Sequence, residues 1–157
     1  MKTVTVEITG TSPMLQHRFS EAAEQAKPTR KVLIERDEPR AAAEKVLYRA
    51  PDGTCYIPGA AIARLLREAG GSHKQIGNRR TLKYVVPAAV LVPEDTITLH
   101  NGTPITEFEV DSRPVTIPAT KGRIMRHRPR FDIWQATFVL EIDDDVLPVE
   151  VVHQLLT

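Results

Sequence analysis

Cysteine occurs once, at Cys55, so the chain has no internal disulfide to draw on and its stability must come from packing. With neither histidine nor a second thiol at ligand spacing, Cys55 is a poor zinc ligand and reads as a small buried hydrophobe. No apolar run approaches the roughly 20 residues that cross a bilayer. Residues 1–9 alternate in polarity and lack the basic-then-apolar order of a signal peptide. Both absences lead to the expectation of a soluble, cytoplasmic protein with no membrane partner.

The usual catalytic signatures are also missing. His17, His73, His100, His127 and His153 form no His-x-x-x-His pair and no His-Glu-x-x-His motif, so no metal is expected. Ser12, Ser20, Ser72 and Ser112 sit in no Gly-x-Ser-x-Gly elbow, and there is no Gly-x-x-x-x-Gly-Lys loop for nucleotide phosphates. Asp143, Asp144 and Asp145 could hold magnesium, but three acids just before a helix more often complement its positive end. No cofactor and no catalytic residue are assigned.

What is present fits one domain spanning residues 1–157, at 17.5 kDa with 41% hydrophobic and 26% charged residues. Val4, Val6 and Ile8 alternate with Thr3, Thr5 and Glu7 as in a half-buried strand. Residues 11–39 read as a loop with a short helical piece at 21–26, and residues 41–47 favour helix before the turn Pro51-Asp52-Gly53. Ile62, Leu65, Leu66 and Ala69 form one stripe of an amphipathic helix that Gly70 and Gly71 end. Strands are expected around Val90-Leu91, Ile97–Leu99 and Phe108–Ile117, with a hairpin tip at Lys121-Gly122. Trp134, Ala136, Phe138, Leu140 and Ile142 alternate as a central strand, with Trp134 in the core in preference to stacking on a base. A last helix starts near Pro148.

Charge is segregated along the chain, although its net value is only +1. Residues 69–93 carry Lys74, Arg79, Arg80 and Lys83 with no acid; residues 112–131 carry Arg113, Lys121, Arg123, Arg126, Arg128 and Arg130, again with none. Such runs suit phosphates, because each contact releases condensed counterions and arginine can grip phosphate oxygens with two hydrogen bonds. These ten residues and His127 are the candidate nucleic-acid contacts.

The stretch Asp52-Gly53-Thr54-Cys55-Tyr56-Ile57-Pro58-Gly59-Ala60-Ala61-Ile62-Ala63-Arg64-Leu65-Leu66-Arg67 resembles the RAMP superfamily of RNA-binding proteins, which includes backbone subunits of CRISPR effector complexes. Ile57, Pro58, Gly59, Ile62, Leu66 and Arg67 match its strand–Ile-Pro-Gly–helix unit, whereas Ala60, Ala61, Ala63 and Arg64 replace its usual serines, lysine and glycine. The resemblance implies an α+β, ferredoxin-like (RRM/RAMP-like) antiparallel sheet with helices on one face, long insertions and its last strand missing. It implies a non-catalytic protein that binds single-stranded nucleic acid, RNA over DNA, as a homo-oligomer or within a larger nucleoprotein complex. Two alternatives are a protein-binding or assembly module, such as a phage inhibitor or structural subunit, and a RAMP-type endoribonuclease.

Overall fold

The computed structural model describes residues 1–19, 37–75, 77–118 and 121–157; the helical piece expected at 21–26 lies outside them. The fold is mixed α/β with antiparallel sheets, and its contacts gather into two compact units. The first comprises Met1–Thr9, Tyr56–Leu99 and Gln135–Thr157, and the second Gly10–Cys55 and His100–Trp134. No helix among the described residues is long and apolar enough to cross a membrane.

In the first unit, β1 (Lys2–Thr9) lies antiparallel to β8 (Gln135–Ile142), with Val4 opposite Leu140 and Val6 opposite Phe138. The sheet continues in the order β1, β8, β5 (Thr96–His100), β3 (Tyr56–Pro58), and β4 (Val90–Leu91) pairs with the end of β8. Beside β4, the Glu94 carboxylate accepts the Val139 backbone N–H at 2.8 Å. The expected alternation on β8 is realised: Ala136, Phe138, Leu140 and Ile142 are all buried. Ile97 and Leu99 of β5 complete this face.

Helix α2 (Gly59–Gly70) differs from its sequence expectation in which residues it buries. Gly59, Ile62, Leu66 and Gly70 face inward, while Leu65 is 47% exposed. The cause is close approach at the two glycines. A Cβ on Gly59 would lie 1.8 Å from the Glu94 carbonyl oxygen, and one on Gly70 would meet Val86 and Leu82 at 3.0–3.1 Å. The helix thus rolls its glycine edge inward and leaves Leu65 outside. A 3₁₀ turn at Leu82–Tyr84 and the short helix α3 (Val86–Ala89) pack against it.

Helix α4 (Val149–Leu156) follows Pro148, where the sequence places a helix start, and buries Val152 and Leu155. Asp144 serves the helix end as expected: its carboxylate accepts the Val149 N–H at 3.1 Å and pairs with Lys2 Nζ at 2.5 Å. The Lys2 hydrogen bond, then the Val149 N–H, hold the Asp144 carboxyl below the ordinary carboxylate value, and the Lys2 ammonium is raised in turn. A carboxyl depressed on folding adds stability above its unfolded pKa and loses it as pH falls through the folded value. Asp144→Asn should therefore lower the melting temperature slightly at neutral pH and leave it unchanged below the folded pKa of the carboxyl, so that the profile falls less steeply toward acid. The pair is exposed, so the effect is small.

The second unit is built on β6 (Glu109–Thr116) and β7 (Arg123–Phe131), a long antiparallel ribbon, with β2 (Met14–Leu15) on the other side of β7. Helix α1 (Pro39–Lys45) packs on the ribbon through buried Ala42 and Ala43. Pro39 opens it, and the Glu38 carboxylate accepts the N–H groups of Arg40 and Ala41. Arg40 stacks over the Phe108 ring at 4.4 Å and bonds Glu107 and the Phe108 carbonyl, tying the helix to the chain leading into β6. The turn at Pro51-Asp52-Gly53 forms as expected, with Gly53 at φ 89° and Arg49 bridged to a buried Cys55. Burial pushes the Cys55 thiol up, which keeps it protonated.

Trp134 does pack against protein, but not in line with Phe138 and Leu140: β8 begins after it, at Gln135. Its indole N–H donates to the Ser12 carbonyl at 3.0 Å, and its ring occupies the space where a Cβ on Gly10 would stand, at 2.2 Å. A side chain at position 10 would displace it.

Candidate nucleic-acid interface

The basic run of the second unit becomes a strand. On β7 the side chains alternate, so Ile124, Arg126, Arg128 and Arg130 share one face while Arg123, Met125, His127, Pro129 and Phe131 share the other. Pairing with β6 sets Arg126 opposite Arg113, Arg128 opposite Asp111 and Arg130 opposite Glu109. Four guanidinium groups therefore stand on one face of the ribbon against two strand carboxylates. Arg113 and Arg126 are like charges directly opposite each other, a repulsion that the Asp111 carboxylate paired with Arg113 offsets in part.

The acids that bound the run in sequence return to it in the fold. Arg113 donates from Nε to Asp111 Oδ1 at 2.8 Å, with its terminal nitrogen also 2.8 Å away, and Arg130 Nε donates to Asp132 at 2.6 Å. Asp111 is only 8% exposed. Its Oδ2 and the Arg128 Nε opposite are both buried and lack a hydrogen-bond partner among the described residues. Arg128 thus faces a buried carboxylate, a structural position more than a ligand-facing one. Replacing it with an acid would set two carboxylates against each other out of water, at a cost of about 3 kcal/mol or more.

The candidates divide between the two faces and the tip. Arg113 is 60% exposed despite its ion pair. Arg126 and Arg130 are half-buried on the same face. Lys121 lies at the end of the ribbon in a left-handed conformation, φ 57°, and is exposed, as is Arg123. His127 belongs to the Arg123 face and shares a 2.7 Å hydrogen bond between its Nδ1 and Ser112 Oγ, directly across the ladder. That pairing was not foreseen, because it depends on the register, which the turn residues alone did not reveal.

In the first unit, Lys74 and Thr81 bridge the base of a small turn in which Gly77 has φ 73°. Lys74, Arg79 and Arg80 are exposed on it. Lys83 differs: its ammonium donates to Glu68 on α2 at 3.1 Å, and that contact holds the Glu68 carboxyl below its ordinary value. Tyr84, next to it, is 76% exposed, an aromatic surface beside the basic turn. Among the described residues, no group of three His, Cys, Asp or Glu side chains could hold a metal ion.

No model of a known protein family matches the chain, and no curated protein matches it.

Proposed function

We propose that this chain is a non-catalytic protein that binds single-stranded nucleic acid, RNA in preference to DNA, as a repeating subunit of a nucleoprotein assembly. The observation that carries the reading is the arginine face of β7, where Arg126 and Arg130 flank Arg128 at a spacing of two and Arg113 stands opposite Arg126. An extended strand repeats every second side chain over about 6.6–7 Å, close to the phosphate spacing of an extended single strand. Arg126 and Arg130, two such repeats apart on this face, can meet phosphates on either side of the position that Arg128 holds. The exposed Lys74, Arg79 and Arg80, with Tyr84 beside them, supply a second phosphate-and-stacking surface of the same chemistry.

A ferredoxin-like arrangement belongs to this reading. It is supported by the order β1, β8, β5, with α2 following β1 and α4 following β8, which is the plan of a split β-α-β unit with no further strand beside β1 among the described residues.

Binding should be detectable by mobility shift with single-stranded RNA and DNA oligonucleotides at low salt. Affinity should fall steeply with added salt, by a log–log slope of about 0.7 for each phosphate contacted. Arg126→Glu should weaken binding roughly tenfold and lower that slope by about 0.7, leaving the melting temperature within a few degrees of the parent. Purified protein free of nucleic acid that retains no oligonucleotide at low salt would refute the reading and favour a protein-binding module.

A further inference from the structure

Where β6 begins and β7 ends, the second unit forms an open hollow of about 400 Å³. Buried Phe108 and Phe131 supply its apolar lining, and Ile133, 75% exposed, adds an aliphatic surface. Arg40 lines it as well. Three contacts hold its guanidinium in place: the Phe108 ring at 4.4 Å, the Phe108 carbonyl at 3.0 Å and Glu107 at 2.6 Å. The Arg40 side chain is nonetheless 49% exposed, which leaves a pre-organised flat group within reach of a ligand.

The charges around the hollow select its occupant. Arg40 is paired with Glu107, and Arg130, through its Nε, with Asp132, each at 2.6 Å. Glu109 adds a third carboxylate opposite Arg130 in the ladder, and makes no hydrogen bond or ion pair among the described residues. A phosphate entering the hollow would meet more carboxylates than guanidiniums; a cation would meet Arg40. A flat neutral ring with N–H donors on its edge suits both, because its face can stack on a guanidinium plane and its edge can meet Glu109. A carboxylate only accepts, and its two oxygens match two donors that stand side by side. Of the RNA bases only guanine presents such a pair, N1–H beside N2–H. Adenine and cytosine present one amino group next to a ring-nitrogen acceptor, and uracil one N–H between two carbonyls.

Arg130 connects the hollow to the arginine face of β7, since it lines the one and shares the other with Arg126. We infer that the hollow holds one guanine base of a bound single strand, stacked beside Arg40 and held at its Watson–Crick edge by the Glu109 carboxylate. The terminal nitrogens of Arg130 remain for a phosphate of the same strand outside the hollow. The inference rests on the nucleic-acid reading for the strand that delivers the base. It adds a base preference, which phosphate contacts alone do not carry.

The test uses the full chain and two probes. In fluorescence anisotropy, a uridine oligonucleotide carrying one guanine should bind about tenfold more tightly than the all-uridine oligonucleotide, and one carrying a single adenine or cytosine should not. Glu109 is exposed, so Glu109→Gln should fold as the parent does, and it should bring that ratio close to one. Arg126→Glu should weaken both oligonucleotides and leave the ratio in place. In methyl NMR, guanosine monophosphate should shift the Ile133 signal at concentrations about tenfold below those needed for uridine monophosphate. If guanosine monophosphate acts in this way while no oligonucleotide binds, the hollow keeps its assignment and the strand-binding reading falls. Equal responses to the different mononucleotides overturn the inference, and so does a guanine preference that Glu109→Gln leaves intact. A hollow that answers to arginine amide and not to guanosine monophosphate overturns it in favour of a basic peptide.

Discussion

Phe138→Ala is expected to cost about 4 kcal/mol of folding stability, a large fraction of the roughly 5–15 kcal/mol that holds a typical domain folded. Phe138 is 1% exposed at the middle of β8, the strand paired with β1 on one side and with β4 and β5 on the other. Its truncation removes the largest fully buried side chain and leaves a cavity that neighbouring strands cannot collapse into without losing their ladder. Urea unfolding followed by far-UV circular dichroism reads the effect directly. A loss of under about 1 kcal/mol would mean that this sheet does not carry the core.

Gly59→Ala should destabilise the protein by about 3 kcal/mol, against the direction of helix propensity. Alanine is favoured over glycine by about 1 kcal/mol within a helix, so propensity alone predicts a gain. Packing predicts the reverse, because the added Cβ would stand 1.8 Å from the Glu94 carbonyl oxygen. That oxygen belongs to backbone, and the adjacent Asp95 carbonyl accepts the Gly59 N–H at 3.0 Å, which pins the segment in place. Relief would require separating α2 from residues 94 and 95 and would release the Glu94 carboxylate from Val139. A thermal melt distinguishes the two outcomes by sign alone. The glycine of the Ile-Pro-Gly stretch thus has a physical reason in this chain: the strand-to-helix turn runs against another backbone.

Much of the secondary structure could be read from the residues because it depends on local periodicity. The alternation of β8, the inward valines of β1, the start of α4 after Pro148 and the turn at Gly53 each follow from patterns within a few residues. β7 shows where such reading stops. Arg-Ile-Met-Arg-His-Arg-Pro-Arg-Phe has almost no apolar alternation and contains Pro129, which argues against a strand inside a sheet. It is nevertheless the middle strand of its sheet, because β6 and β2 supply the pairing that its own side chains do not advertise. The inward roll of α2 at Gly59 and Gly70 belongs to the same class, since a hydrophobic stripe marks a face but does not register which neighbour comes closest.

The candidate site was legible as composition and not as geometry. An acid-free window from Ser112 to Phe131 is a true property of the chain, and it located the arginines that β7 aligns. The same window ends one residue short of Asp111 and of Asp132, the two acids that pair with Arg113 and Arg130. Likewise Lys83 lies in an acid-free run yet meets Glu68 fifteen residues earlier.

By itself the sequence determined which segments extend, which coil, and where positive charge is concentrated, because steric preference and periodicity act over a few neighbouring residues. Only the tertiary structure decided that Arg126 faces Arg113, that Arg128 faces a buried Asp111, and that β1 pairs with β8 and no other strand among the described residues. Those are questions of register and of covering, settled by contacts between residues far apart in the chain, where shifting a strand pairing by one position exchanges every side chain between its two faces.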